Sequence, residues 1–281
     1  MLRYSFQGLL FLSLLTACDG DILCSSAPQL VIEGHISQEG FPVVRVTKSM
    51  SVEEVYQNYH SVERKCLVRE ADVSILADGQ TYHLIGETDS TSLIPYYYTT
   101  HELMGTTGKG YQLNVSYQDW CISSTVTIPT ALSIDSVSIV PSTQSEALLL
   151  RVLLVNKSTE PIYGRFFLRT SSFRYSDYLL VPDAGFDSEK YPSDSVWINL
   201  TRPQVQYKDN VSGFMPGEII DIQFCTMDKT QYLWWEDYES RLSLSRNPLF
   251  PLSNSFNNDG VLGYWAGYGI SSKQIQIPYY K

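Results

Sequence analysis

The amino-acid sequence predicts a mainly β protein made of two antiparallel β-sandwich-like domains, the second carrying one amphipathic helix. Three observations predict it. From Leu30 onward, short runs rich in Val, Ile, Tyr and Thr are separated by Gly, Pro, Asp and Ser. Within several runs apolar and polar residues alternate, as Val73, Ile75 and Ala77 do against Asp72, Ser74 and Leu76; a period of two places one set on a buried face. Ala77-Asp78-Gly79-Gln80 puts Asp-Gly between two such runs, the strongest short hairpin signal because both turn positions need positive φ.

The first domain, residues 30–129, contains strands predicted at Leu30 to Ile36, Val43 to Thr47, Ala71 to Leu76, Thr81 to Leu84, Tyr111 to Tyr117 and Ile122 to Ile128. Their regular spacing suits an immunoglobulin-like or transthyretin-like sandwich. Tyr96-Tyr97-Tyr98, after Pro95, reads as a loop, and Gly105 to Gly110 as a connection between strands. Pro129 closes the domain, since a proline cannot donate to a central ladder. In the second domain, residues 130–281, strands are predicted at Ser136 to Val140, Leu148 to Val155, Ile162 to Arg169, Val196 to Leu200 and Glu218 to Phe224. Residues 171–195 lack a clean period and read as one long loop. Asp228 begins a helix over about 229–244: Asp228 and Gln231 have the form of a capping box, Trp235, Tyr238 and Leu242 share a face, and Asp237 and Arg241 stand at i,i+4. Phe256 to Gly269 reads as a glycine-punctuated turn and strand, and Gln274 to Pro278 as a last strand.

The N-terminus carries a different signal. Arg3 is followed by an apolar run, Leu9 to Leu15, too short for a permanent membrane span but suited to a signal peptide. Leu15-Thr16-Ala17-Cys18 then has the form of a bacterial lipobox. Residues 1–17 are therefore read as a lipoprotein signal peptide, Cys18 as the lipidated residue and residues 18–29 as a tether. Asp19 and Asp21 resemble the acidic start that marks surface export in some Bacteroidetes lipoproteins, so exposure at the cell surface is expected as a corollary of the anchor.

Lys and Arg number 20 against 30 Asp and Glu, a formal charge of −10, which disfavours nucleic acid as a partner. Four cysteines besides Cys18, namely Cys24, Cys66, Cys121 and Cys225, would meet an oxidising compartment after export; at least one disulfide among them is expected, its connectivity open. No metal-ligand spacing, nucleophile elbow or phosphate-binding loop occurs, and His35, His60, His83 and His101 stand singly. No catalytic residue, cofactor or metal is assigned. The 20 tyrosines offer large contact area at low entropic cost, which suits peptide, glycan or protein recognition.

Several segments fall into one order: the lipobox, Leu30-Val-Ile-Glu-Gly-His-Ile-Ser37, Phe41-Pro-Val-Val-Arg-Val-Thr47, Ala71-Asp-Val-Ser-Ile with Asp78-Gly79, Gly110-Tyr-Gln-Leu-Asn-Val, Ile128-Pro129 before Ile134-Asp-Ser-Val137, Tyr232-Leu-Trp-Trp235 and Gly260-Val-Leu-Gly-Tyr-Trp-Ala266. This arrangement resembles the Bacteroidetes lipoprotein family called domain of unknown function 4249. The resemblance implies an outer-membrane or surface lipoprotein that accompanies a TonB-dependent transporter, and it brings no catalytic residues. A non-enzymatic binding or accessory partner is thus the expected function, with Tyr96, Tyr97 and Tyr98 among the contacts and the ligand unspecified; a glycan- or peptide-acting hydrolase and a structural adhesin are the alternatives. Replacing Cys18 by Ala should move the protein from the membrane to the soluble fraction, and a Cys18→Ala protein that still sediments with the outer membrane after a salt wash would refute the anchor.

Overall fold

The computed structural model describes residues 28–50, 65–142, 147–203, 213–242, 254–258 and 260–279; Cys18, Cys24 and the expected helix beyond Leu242 lie outside them. Seven strands open the fold: β1 (Leu30–Ser37), β2 (Val43–Lys48), β3 (Asp72–Ala77), β4 (Gln80–Thr88), β5 (Tyr96–Thr99), β6 (Gly110–Tyr117) and β7 (Trp120–Thr127). β1, β2, β3, β6 and β7 alternate as the sequence predicts; β1 buries Leu30, Ile32, Gly34 and Ile36 and turns Glu33 and His35 to the other face. Asp78 and Gly79 both adopt positive φ (50° and 78°) and close the β3–β4 hairpin with Ala77 opposite Gln80.

A long strand, β14 (Val261–Gln276), completes this unit, giving the neighbour order β14-β1-β2-β5-β4-β3-β6-β7. β4 takes the sheet around a corner. Gln80 to Leu84 pair with β3, whereas Ile85 to Thr88 pair with β5. The two wings enclose one core in which Ile32, Val46 and Trp265 join Ile75, Leu113 and Val126.

The second sandwich uses β8 (Ile134–Pro141), β9 (Leu148–Val155), β10 (Tyr163–Thr170), β11 (Leu179–Asp187), β12 (Ser195–Leu200) and β13 (Ile219–Met227). One layer has the order β11-β10-β13-β14 and the other β12-β9-β8. Leu150, Val152, Phe166, Phe186, Ile222 and Phe224 fill the space between them. A helix, α1 (Lys229–Leu242), covers the outer face of the first layer. For that reason β10 is buried on both faces, Phe166 and Leu168 toward the sandwich and Tyr163 and Phe167 toward the helix.

The start of α1 is set by Asp228, whose carboxylate accepts the Gln231 N–H at 2.8 Å, satisfying one of the orphan donors of a first turn. Asp237 and Arg241 pair at 2.9 Å as their spacing predicts. The buried face holds Tyr232, Trp234 and Trp235, with Tyr238 packed beside them. Arg165, with no exposed surface, points from β10 at the helix and ion-pairs with Glu236 (3.0 Å) and Glu239. A buried guanidinium is costly without partners, so this contact fixes where the helix sits.

β14 corrects the expected turn and short strand between Phe256 and Pro278. Its glycines are not turn punctuation but points of close approach. Gly263 has φ 107°, and a Cβ there would lie 2.0 Å from the Ile32 carbonyl oxygen; at Gly267 and Gly269 a Cβ would lie 2.7 Å and 2.5 Å from the Thr127 and Pro129 carbonyl oxygens. Two further corrections concern segments read as loops. Tyr96 to Thr99 form β5, and residues 179–187 within the expected 171–195 loop form β11, whose period is broken by Pro182 and by Asp183 at φ 55°. Gly263→Ala should cost about 2 to 4 kcal/mol, combining an unfavourable φ with a backbone clash, whereas Gly79→Ala, with open space around it, should cost about 1 kcal/mol. Urea denaturation distinguishes the two; equal losses would contradict the close-approach account.

Candidate functional site

Six neighbouring strands, in the order β10-β13-β14-β1-β2-β5, turn side chains toward one cleft of about 380 Å³. Phe167 comes from β10, Gln223 and Cys225 from β13, Tyr264, Tyr268 and Ile270 from β14, His35 from β1, Val43 and Arg45 from β2, and Tyr97 from β5. Trp235 of α1 closes one side. The cleft therefore straddles the place where the two sandwiches share β14.

Two loops close the other side and are tied to each other. Asp177, in the connection between β10 and β11, accepts hydrogen bonds from the Ser92 hydroxyl (2.9 Å) and the Leu93 N–H, in the connection between β4 and β5. The Ser176 N–H donates to the Thr91 carbonyl at 2.9 Å. Arg45 rises from the sheet to meet both, donating to Asp177 at 3.1 Å and to Ser92 at 3.0 Å. Its Nε is buried and has no acceptor among the described residues.

The electrostatics of the floor follow from burial and from this one guanidinium. Burial, reinforced by the Arg45 charge, lowers the His35 pKa to about 4, so the imidazole is neutral at pH 7 and offers one donor and one acceptor. Burial also raises the Glu33 carboxyl, with Arg45 opposing. Asp89 is held below the ordinary carboxylate range by hydrogen bonds from Thr91 and stays ionised. Aromatic rings supply the apolar part: Trp235 lies 5.3 Å from Phe167 and 5.4 Å from Tyr264, centroid to centroid, and His35 lies 5.6 Å from Tyr268. Among the described residues no three His, Cys, Asp or Glu side chains are grouped to hold a metal. The arrangement can bind a molecule with both an apolar face and hydrogen-bonding groups.

The tyrosines singled out in the sequence are divided by the strand they form. Tyr98 is core: its hydroxyl donates to the Val68 carbonyl and accepts from the Ala71 N–H, both at 3.0 Å, and burial pushes its pKa up to about 12. Tyr96 lies on the same face, edge to ring with Tyr98 at 5.4 Å, with Arg69 over its ring. Tyr97 alone of the three lines the cleft, its hydroxyl 3.3 Å from Glu87. Arg45, His35 and the β14 tyrosines carried no sequence signal of their own; the Tyr-Trp-Ala-Gly-Tyr run was visible, but not that alternate residues would serve a core and a cleft.

The cysteines are likewise divided. Cys121 is exposed on β7 and Cys225 is buried on β13, and the two are thiols that do not pair with each other. Cys225 is enclosed by the aromatic cluster beneath α1. Cys24 and Cys18 lie outside the described residues.

Fold and cleft together define a double-sandwich β protein with a cleft over a shared strand. The family model described as Domain of unknown function (DUF4249) matches residues 21–274, and the chain belongs to that family. No curated protein matches the chain. Among solved structures, one titled "Cytokine receptor complex - Crystal form 1A" is similar at 5% identity over 89% of this chain and 97% of its own, with a TM-score of 0.27, a likeness too distant to carry any argument. No described helix is long and apolar enough to cross a membrane.

Burial pushes the Cys225 thiol up to about 12, leaving almost no thiolate at neutral pH. A maleimide reagent on the native protein should therefore label Cys121 within minutes and Cys225 only after unfolding. Rapid labelling of Cys225 in the folded state would contradict the closed packing of α1.

Proposed function

We propose that this protein is a non-catalytic binding subunit, held at the outer membrane by a lipid on Cys18 and working beside a TonB-dependent transporter. The cleft carries the reading. Its floor combines aromatic faces with a guanidinium, a neutral imidazole, an amide and tyrosine hydroxyls, the mixture of apolar body and few placed polar groups that suits reversible recognition. Leu30 follows Cys18 by twelve residues, a tether of at most about 40 Å when fully extended. Such a tether would keep the sandwiches close to the membrane surface, where a transporter opens. Tyr97 is the member of the tyrosine triplet suited to a contact, because its removal from the cleft wall leaves the Tyr98 core untouched.

Affinity purification of the lipidated protein from native membranes in mild detergent tests the partnership. The expected result is co-recovery of a large outer-membrane β-barrel transporter, lost when Cys18→Ala removes the anchor. Recovery of the lipidated protein with no transporter above background would overturn it.

A further inference from the structure

Resting on that reading, we infer that the cleft between α1 and the Asp177 clasp binds a neutral carbohydrate, of mono- or disaccharide size, through Arg45, Asp177 and the aromatic floor. One donor in the cleft wall is unpaired among the described residues. Arg45 reaches Ser92 and Asp177 through its terminal nitrogen, while its buried Nε–H has no acceptor among the described residues. A buried donor left unpaired costs about 1 to 3 kcal/mol, and an oxygen brought by a ligand would relieve that cost.

Charge decides what kind of oxygen. Arg45 is opposed by Asp177 at 3.1 Å, and Asp89 lines the same cleft as a second carboxylate. A ligand anion would have to displace Asp177 from Arg45 while sitting near Asp89. A ligand cation would have to sit beside Arg45, and His35 adds no charge in either direction. A hydroxyl fits both partners, since it accepts from the guanidinium and donates to a carboxylate at once. Neighbouring hydroxyls would meet the Gln223 amide and the His35 imidazole, each able to donate and to accept, and the Tyr97 hydroxyl, which gives its proton to Glu87 and accepts.

The apolar lining decides the rest of the ligand. Trp235, Phe167 and Tyr264 cluster at 5.3 to 5.4 Å, and Tyr268 and Ile270 extend the surface along β14. A small alcohol would leave these faces uncovered, and a purely apolar molecule would strand Arg45 and Asp177. A sugar ring offers hydroxyls around its edge and a C–H face for an aromatic ring, and about 380 Å³ has room for one or two such rings.

The test uses the mature, lipidated protein in a zwitterionic detergent without a sugar headgroup. Maltose, cellobiose and N,N′-diacetylchitobiose are titrated by calorimetry and by saturation-transfer NMR, with glucuronic acid and glucosamine as charged probes. At least one neutral disaccharide should bind, with the charged probes about tenfold weaker or worse. Asp177→Asn and Arg45→Gln should each weaken binding about tenfold or more, the loss expected for one unpaired buried partner. Tyr97→Phe, which removes only a hydroxyl from a half-buried ring, keeps the test sound if either charge variant fails to fold; it should weaken binding without lowering the unfolding temperature. Failure of all three disaccharides to bind the folded protein, or tighter binding of a charged probe, overturns the inference. Because transporter co-recovery is measured separately, a protein that keeps its transporter but binds no sugar sinks the ligand assignment alone, and one that binds sugar without a transporter sinks only the partnership.

Discussion

The structure depends on one strand being shared. β14 runs for 16 residues. Its first half pairs in parallel with β1 from Leu30↔Val261 to Ser37↔Tyr268, and its second half pairs antiparallel with β13 from Ile219↔Gln276 to Thr226↔Gly269. Neither sandwich has its full sheet without it. The close approach of β14 to the carbonyls of Ile32, Thr127 and Pro129 explains why Gly263, Gly267 and Gly269 stand in a strand otherwise rich in aromatic residues. Trp265 shows the same constraint from the other side, being wholly buried in the first core with its indole N–H on the Tyr111 carbonyl at 3.1 Å.

The cleft is a consequence of that sharing. Where β14 passes from one sandwich to the other, its outward residues Tyr264, Tyr268 and Ile270 lie between α1 and the loops that Asp177 joins. The helix is held by Arg165 and by the Tyr232, Trp234 and Trp235 face, so the wall bearing Trp235 is fixed by core packing rather than by a ligand. The opposite wall is held by polar contacts among Arg45, Ser92, Asp177, Thr91 and Ser176, which are worth less apiece and exchange with water more readily. One wall is thus set mainly by core packing and the other by polar contacts. A second buried polar cluster, Glu218 with Thr170, Ser172 and Arg202, pins the base of β13. Burial alone would raise the Glu218 carboxyl, but those hydrogen bonds, the Met215 N–H and the Arg202 charge outweigh it and hold the group ionised.

Much of the fold was readable in local chemistry. Alternation located β1 to β4 and β6 to β10 to within a few residues, Asp78-Gly79 located a hairpin, and Asp228 located the start of α1, because each of these signals acts within a few positions of the chain. The failures share a different origin. β5 was hidden because Pro95 and three tyrosines suit a loop as well as a strand. β11 was hidden because a proline and a residue with positive φ interrupt its period. The glycines of β14 answer to Ile32, Thr127 and Pro129, far away in sequence. The site was less legible still, since its floor is made of residues from six strands whose adjacency is a property of topology. Of the three tyrosines singled out beforehand as contacts, Tyr97 alone lines it, and the pairing of Arg45 with Asp177, 132 positions apart, has no counterpart in the sequence.

A single measurement bears most directly on the shared strand: native-state hydrogen exchange resolved by residue, at denaturant concentrations approaching the unfolding midpoint. If β14 joins the sandwiches into one cooperative unit, the slowest amides of β1, β9, β13 and β14 will exchange with one common free energy and one common denaturant dependence. Two separate free energies, with the first half of β14 following β1 and the second half following β13, would contradict the account.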